Sequence, residues 1–309
     1  MLFFFIDIQR YIILIIEKHI RTVAEVTIPE RQPLQSLLCP NCRKLISRSE
    51  DFCPFCGMKN PGSGANRLMA SMALNDPRLF IKAVITLNIA MYVLSLLFNS
   101  GMPGMGMNPL TLLSPGSRSL MILGGTGKLP IDSYHRWWSL ISANYLHGGL
   151  LHILFNMMAF RQICPLVIRE YGLHRTIGIY SLSGVIGFYV SYLAGVNFTI
   201  GASAAIFGLM GALIYYGKSR GGVYGQAIFK QVGGWVLGMF LLGIMVPMIN
   251  NWGHGGGLAG GILTAYLLGY QEKTREKPGH RTMAFALCLI TLLTLAWAVL
   301  SGFYIRLFS

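Results

Sequence analysis

Seven stretches after position 80 are apolar and contain no Asp, Glu, Lys or Arg, and this pattern selects the solvent in which the chain can fold. They are Ala83 to Phe98, about Leu150 to Phe160, about Thr176 to Ala194, Ile200 to Tyr216, Val232 to Ile249, Trp252 to Tyr270 and Met283 to Ile305. About 20 apolar residues in a helix cross the hydrocarbon of a bilayer, so the pattern predicts an all-α integral membrane protein with seven spans. The second stretch is short alone and is expected to continue past Arg161 towards Val167, with the arginine snorkelling to the aqueous face. Only 12% of the 309 residues are charged, against about 25% in soluble domains, which excludes an ordinary soluble fold.

The net charge of +14 would suggest nucleic acid in a soluble protein, but here the basic residues report topology. Twenty-one of the 25 Lys and Arg fall on one side of the predicted spans, in the region up to Lys82, Arg161 to Arg175, Lys218 to Lys230 and Lys273 to Arg281. The other side holds Arg118, Lys128, Arg136 and Arg306. The positive-inside rule then places the N-terminus in the cytosol and the C-terminus outside, and the fourth and sixth spans start at the outer face. The expected setting is a bacterial plasma membrane.

Residues 1–30 begin with MLFFFIDIQRYIILIIEKHI, in which Asp7 and Arg10 would each cost about 2.5 to 3.5 kcal/mol at a helix centre. The segment reads as an interfacial helix or as a start assigned too early. Residues 31–62 contain Cys39, Cys42, Cys53 and Cys56 as CPNC, ten residues, CPFC. Two CxxC knuckles supply four thiolates in the tetrahedral arrangement of a closed structural zinc site, so a zinc ribbon binding Zn2+ is expected. The competing readings are disulfides, which a cytosolic location disfavours, and a redox pair, which would have one CxxC opening a helix. The ribbon's partner is not legible, and its basic residues read as a solvated face rather than a nucleic-acid site. The stretch Gly57 to Asp76 has the Gly, Pro, Asn and Ser content of a linker, and residues 63–79 read as that linker, 80–271 as a six-span core and 282–309 as an additional span. Cys164 and Cys288 have no partner spacing and read as packing residues.

Polar groups within spans mark function more often than decoration. His152 and Asn156 lie four apart in the second span and so share a helix face, Ser203 lies near the outer end of the fourth, and His254 near that of the sixth. A serine hydroxyl needs a neighbouring base, and an oxyanion needs fixed donors, which a His N–H, an Asn NH2 and the Ser203 backbone N–H can supply. Between Ser133 and Tyr270 the one carboxylate is Glu170, read as lying in a cytosolic loop, so the chemistry has to run as a dyad. Small residues Gly201, Ala205, Gly208, Ala212, Gly257 and Gly261 also fit a purely structural helix seam. A span starting at Trp138 would bury His152 some 20 Å deep; Gly148 and Gly149 instead predict an interfacial segment from Arg136 to His147 and a helix from Leu150. His147 reads as a loop hydrogen-bonding residue, and His135 and His174 as solvated.

The order H(x4)H(x3)N, GASxxxFG and HxGG(x3)G resembles the rhomboid intramembrane serine proteases over roughly Phe80 to Gly269. The resemblance implies a rhomboid-like six-helix core and peptide-bond hydrolysis in or near transmembrane segments of single-span membrane proteins. It implies Ser203 as nucleophile, His254 as general base, His152 and Asn156 at the oxyanion, Phe207 against the catalytic His, and no cofactor for catalysis. Two departures stand out: Ala204 where the family often has Gly after the nucleophile, and Ser139 where it often has Arg after the loop Trp. The alternative from another class is a non-proteolytic rhomboid-like protein that binds transmembrane helices; such proteins typically lose the dyad. A transporter would require charged groups at mid-membrane or inverted repeats, and neither is present.

Overall fold

The computed structural model describes residues 36–39, 44–55, 57–64, 76–99, 112–246 and 248–308. The chain divides into two compact units, Met1–Ala70 and Ser71–Ser309.

In the first unit, β1 (Ser36–Leu38) and β2 (Leu45–Ser47) form an antiparallel pair in which Leu37 faces Ile46. Cys39 follows β1 and its N–H donates to the Lys44 carbonyl at 2.9 Å. The second turn repeats this arrangement, with the Cys53 N–H on the Met58 carbonyl at 2.9 Å and the Gly57 N–H on the Cys53 carbonyl at 2.8 Å. The unit's small core consists of Cys39, Ile46 and Cys53, flanked by Leu37 and Met58.

The second unit is helical. Helix α1 (Pro77–Leu97) has proline in its first turn and Asp76 as its cap, accepting from the Arg78 N–H at 2.9 Å. Three short helices follow, α2 (Ser117–Ile122), α3 (Lys128–Tyr134) and α4 (Ser139–Ser142), then a single 3₁₀ turn at Ala143–Tyr145. The long helices are α5 (Leu150–Tyr171), α6 (Leu173–Leu193), α7 (Ser203–Arg220), α8 (Gly222–Met245), α9 (Asn251–Leu268) and α10 (Pro278–Phe308). As Gly148 and Gly149 suggest, α5 starts at Leu150, and the preceding chain is a set of short turns rather than one span.

Among the described residues five helices are long and apolar enough to cross a membrane: α1, α5, α6, α8 and α10. Helices α7 and α9, expected from their apolar runs to be spans, are less hydropathic over their full length: α7 ends in Lys218 and Arg220, and α9 carries Asn251, His254 and many glycines. Their packing gives the reason. From Ala204 to Leu213 every residue of α7 is buried, within the cluster formed with α1, α5 and α8 and against α9. A helix enclosed by other helices does not need lipid-facing Leu and Ile, and small residues let backbones approach closely. A methyl on Gly257 or Gly261 of α9 would overlap the carbonyl oxygens of Ala204 and Gly208 of α7.

Several expectations are corrected. The stretch Arg161 to Arg175 is no loop: α5 continues to Tyr171 despite Pro165, and Gly172 alone joins it to α6. Likewise α7 runs through Lys218 to Arg220, and α8 begins two residues later at Gly222. Basic side chains are good helix formers and place their charges in water from the last turn, so charge did not mark the helix end. Glu170 therefore belongs to the last turn of α5, where its carboxylate accepts from Arg169 Nε and the Tyr224 hydroxyl, each at 2.7 Å. His174 is buried, not solvated: its Nδ1 is 3.0 Å from Glu276 Oε2, because the chain between α9 and α10 folds back over the start of α6. His135 is exposed, as expected.

Candidate active site

Ser203 is the first residue of α7, and Ile206 is the first to close an α-helical turn, on the Ala202 carbonyl. The N–H groups of Ser203 and Ala204 consequently have no acceptor within their own helix, and the helix end presents partial positive charge. The Ser203 hydroxyl lies 2.9 Å from Nε2 of His254, a hydrogen-bonding distance. Three structural features place His254 there. Its own N–H donates to the Asn250 carbonyl at 3.1 Å, in the first turn of α9. Its ring stacks flat on Phe207, one turn into α7, with centroids 4.2 Å apart and planes 9° apart. Phe240 of α8 closes from the side, edge-on to Phe207 at 5.5 Å and to His254 at 6.5 Å. Among the described residues Nδ1 of His254 has no hydrogen-bond partner, so no carboxylate orients this ring.

His152 and Asn156 project from one face of the first two turns of α5. Nδ1 of His152 accepts from the Gly148 N–H at 3.3 Å. A neutral imidazole that accepts at Nδ1 carries its proton on Nε2, so Nε2 is the donor. That nitrogen abuts Gly201: a Cβ there would stand 2.8 Å from His152 Nε2 and 3.7 Å from Ser203 Oγ. The two groups thus border one small space, which only glycine leaves open, and Gly201 also has φ +126. The Asn156 amide donates one N–H to the His152 carbonyl at 3.0 Å and retains a second. His147, expected to be a hydrogen-bonding loop residue, is instead fully buried with its ring edge-on to His152 at 5.0 Å, and neither ring nitrogen has a partner among the described residues.

Asn250 was not legible as a site residue. It caps α9 by accepting from the Gly253 N–H at 3.0 Å, while its amide donates to Ser191 Oγ at 2.6 Å and Thr199 Oγ1 at 2.9 Å. One side chain therefore ties the start of the His254 helix to α6 and to the strand-like segment before Ser203. An Asn at the start of an apolar helical run is a usable cap signal in sequence, but its two remote acceptors are not.

The two departures have structural explanations. The Ala204 methyl points away from the space between Ser203 and His152; it joins Ile131, Leu140, Ala143 and Phe188 and stands 3.0 Å from where a Cβ of Gly187 would lie. Its crowding thus falls on the α6–α7 contact. Ser139 is buried and donates to Thr126 Oγ1 at 2.8 Å. The Arg136 guanidinium is held separately, on the Met121 carbonyl at 2.8 Å.

Of the four predicted zinc cysteines, Cys39 and Cys53 are each 1% exposed within one cluster, at the starts of two similarly bonded turns. Cys42 and Cys56 lie outside the described residues, and among the described residues no three potential metal ligands converge. Two buried sulfurs that each open a knuckle-like turn suit a thiolate metal site. Cys164 is a fully buried packing residue, and Cys288 is partly buried.

The Rhomboid domain family profile matches residues 134–271, which contain the Ser203, His254, His152 and Asn156 positions. The chain is 31% identical to RHOMBOID-like protein 4 of Arabidopsis thaliana over 210 residues, 65% of this chain and 53% of that protein. It is 35% identical to Rhomboid protease GluP of Bacillus subtilis over 133 residues, 43% and 26% of the two chains. With a further rhomboid-named Bacillus subtilis protein, YdcA, it shares 34% identity over 142 residues, 45% of this chain and 71% of the other. The chain thus spans about half of the first of these relatives and a quarter of the second. A multi-pass helical unit, a Rhomboid domain and a match over most of YdcA together make this chain a member of the rhomboid family.

Proposed function

We propose that the protein is an intramembrane serine protease that cuts peptide bonds in or near transmembrane segments with a Ser203–His254 dyad. The observation that carries this reading is the 2.9 Å approach of Ser203 Oγ to a histidine that lies flat on an aromatic ring. In the reaction, Ser203 Oγ bonds to the scissile carbonyl carbon as its proton passes to His254 Nε2. The carbonyl oxygen becomes an oxyanion, for which the Ser203 N–H, His152 Nε2–H and the second N–H of Asn156 are suitable donors. The C–N bond then breaks and His254 returns the proton to the leaving amine. Water, deprotonated by the same histidine, hydrolyses the acyl-serine ester and regenerates Ser203. An imidazolium has no carboxylate partner here, and the Phe207 ring face supplies an attraction of about 0.5 to 2 kcal/mol in its place.

Helices α7 and α9 complete a seven-helix arrangement, six in the catalytic core with α10 added, in which Ser203 and His254 sit at the outer ends of their helices. Water then reaches the dyad without crossing lipid. A substrate helix must unwind to enter, and unsatisfied amides in hydrocarbon cost several kcal/mol each, so single-span substrates weakened by Gly, Pro or polar residues at the outer end fit best. The basic ends of the helices face the cytosol, with the N-terminus inside, the C-terminus outside and a bacterial plasma membrane as setting. Cys39, Cys42, Cys53 and Cys56 hold one structural Zn2+ in a ribbon separate from catalysis. Metal analysis of reduced protein and of a Cys39→Ser/Cys53→Ser variant tests the zinc; equal metal in both excludes it.

The deciding experiment incubates purified protein in detergent with several model single-span substrates, beside Ser203→Ala, and locates each cut by mass spectrometry. Cleavage that persists in Ser203→Ala, or cuts clustered at the cytosolic end of the substrate helix, defeats the proposal. Retention of both dyad residues is what separates this reading from a non-proteolytic rhomboid-like helix binder.

A further inference from the structure

Remote from the dyad, at the end of the helices where Lys218 and Arg220 sit, a cavity of about 300 Å³ opens between α7, α9 and the start of α10. Tyr215, Tyr266, Lys273, Thr274, Lys277 and His280 are among the residues that line it. Its charge is one-sided. The neighbouring acids are engaged elsewhere, Glu272 with Arg220 at 2.9 Å and Glu276 with His174 at 3.0 Å and the Arg175 N–H at 3.0 Å. Lys273 donates to Ser219 Oγ at 2.9 Å, and neither Lys273 nor Lys277 takes part in an ion pair among the described residues. The carbonyl end of α9 and the N-terminal end of α10 both reach the cavity and contribute about half a charge each, of opposite sign. The two full lysine charges therefore decide its preference, which is for an anion.

We propose that this cavity holds the phosphate of an anionic phospholipid from the leaflet at that end of the helices. The outer wall favours a lipid over a free ion: Tyr266 and Leu267 are 64% and 70% exposed on α9, an apolar track along which an acyl chain can run from the cavity into the bilayer. Basic pockets between transmembrane helices take phospholipid headgroups in this way, with tyrosine at the interface and lysine at the phosphate. A choline headgroup would bring a cation against Lys273 and Lys277, so the site discriminates by headgroup charge. Nothing in this inference depends on proteolysis.

Native mass spectrometry of the full-length protein tests it, titrating phosphatidylglycerol against phosphatidylcholine of matched chains. The wild type should retain phosphatidylglycerol about tenfold better. A Lys273→Gln/Lys277→Gln variant should lose that preference and a Lys273→Arg/Lys277→Arg variant keep it, with melting temperatures checking that each is folded. Millimolar inorganic phosphate should leave the lipid adduct in place. Equal retention of both lipids by the wild type, or an unchanged preference in the folded glutamine variant, overturns the proposal. Displacement of the lipid by inorganic phosphate overturns it too, and would assign the cavity to a free anion.

Discussion

Phe207 and His254 lie face to face, 4.2 Å between centroids and 9° between planes, although they come from helices that begin 48 residues apart in the chain, at Ser203 and Asn251. Among the described residues no carboxylate meets His254, and the Phe207 face, with Phe240 edge-on, restrains the imidazole. Phe207→Ala should therefore reduce kcat by about tenfold with a smaller effect on KM, because an imidazole free to rotate spends less time within reach of Ser203. A kcat equal to wild type in folded protein would show that something else holds the ring.

If Ser203 and His254 act as the proposed dyad, Ser203→Ala, His254→Ala and the double variant should all lose nearly all cleavage, the double being scarcely worse than either single. Asp132→Asn is the control: that carboxylate is occupied on the exposed face of α3 by Lys128 Nζ at 2.6 Å and the Tyr192 hydroxyl at 2.9 Å. Its rate should stay within about twofold of wild type. Asn156→Ala should be intermediate, by the roughly 10²- to 10³-fold typical of one oxyanion donor.

Asn250 combines two roles that substitution can separate. Asn250→Asp retains the acceptor for the Gly253 N–H but loses the N–H bonds to Ser191 and Thr199; Asn250→Ala loses all three. Loss of the cap alone is worth about 1 kcal/mol, so the alanine variant should melt at a lower temperature than the aspartate one. Both should lose activity, since both release the start of the His254 helix from the segment before Ser203. Full activity in Asn250→Asp would confine this residue to capping.

Ala204 should prove a packing residue. Its methyl fills the α6–α7 contact beside Gly187, so Ala204→Gly should cost about 1 kcal/mol in stability and leave kcat within about twofold. Ala204→Val should be worse in stability than glycine, since no space remains for two further methyls. A large gain in kcat for Ala204→Gly would mean that the methyl does crowd the oxyanion.

Glu276 gives the fold an acid-side limit. Burial pushes its carboxyl up, but the hydrogen bond and charge of His174, the Arg175 N–H and the Arg175 charge outweigh this and hold it below the usual carboxylate value. A carboxyl lowered in the folded state stabilises fully above its unfolded value, near pH 4.5, and that stabilisation disappears as the pH falls through the lower folded value. Melting temperature measured between pH 7 and pH 3 should fall more steeply for wild type than for Glu276→Gln. Parallel curves would remove Glu276 from the account.

The apolar runs, the two glycines before Leu150 and the order of His152, Asn156, Ser203 and His254 were sufficient in sequence for a membrane helix bundle and for its four central side chains. Apolar periodicity and hydrogen-bonding chemistry are local properties, and a bilayer leaves the backbone few alternatives to helix. Helix ends were misread at Arg161 to Arg175 and Lys218 to Lys230, because basic residues continue a helix while placing their charge in water. The burial of His174 depends on a segment a hundred residues later folding back with Glu276, and the role of Asn250 depends on Ser191 and Thr199. The direction of the Ala204 methyl depends on the rotation of α7 against α6. These pairings arise where distant segments pack, so tertiary structure alone decided them. The small-residue seam of Gly257 and Gly261 connects the two levels: visible in sequence as spacing, it becomes in three dimensions the close approach of α7 and α9 that brings Ser203 within 2.9 Å of His254.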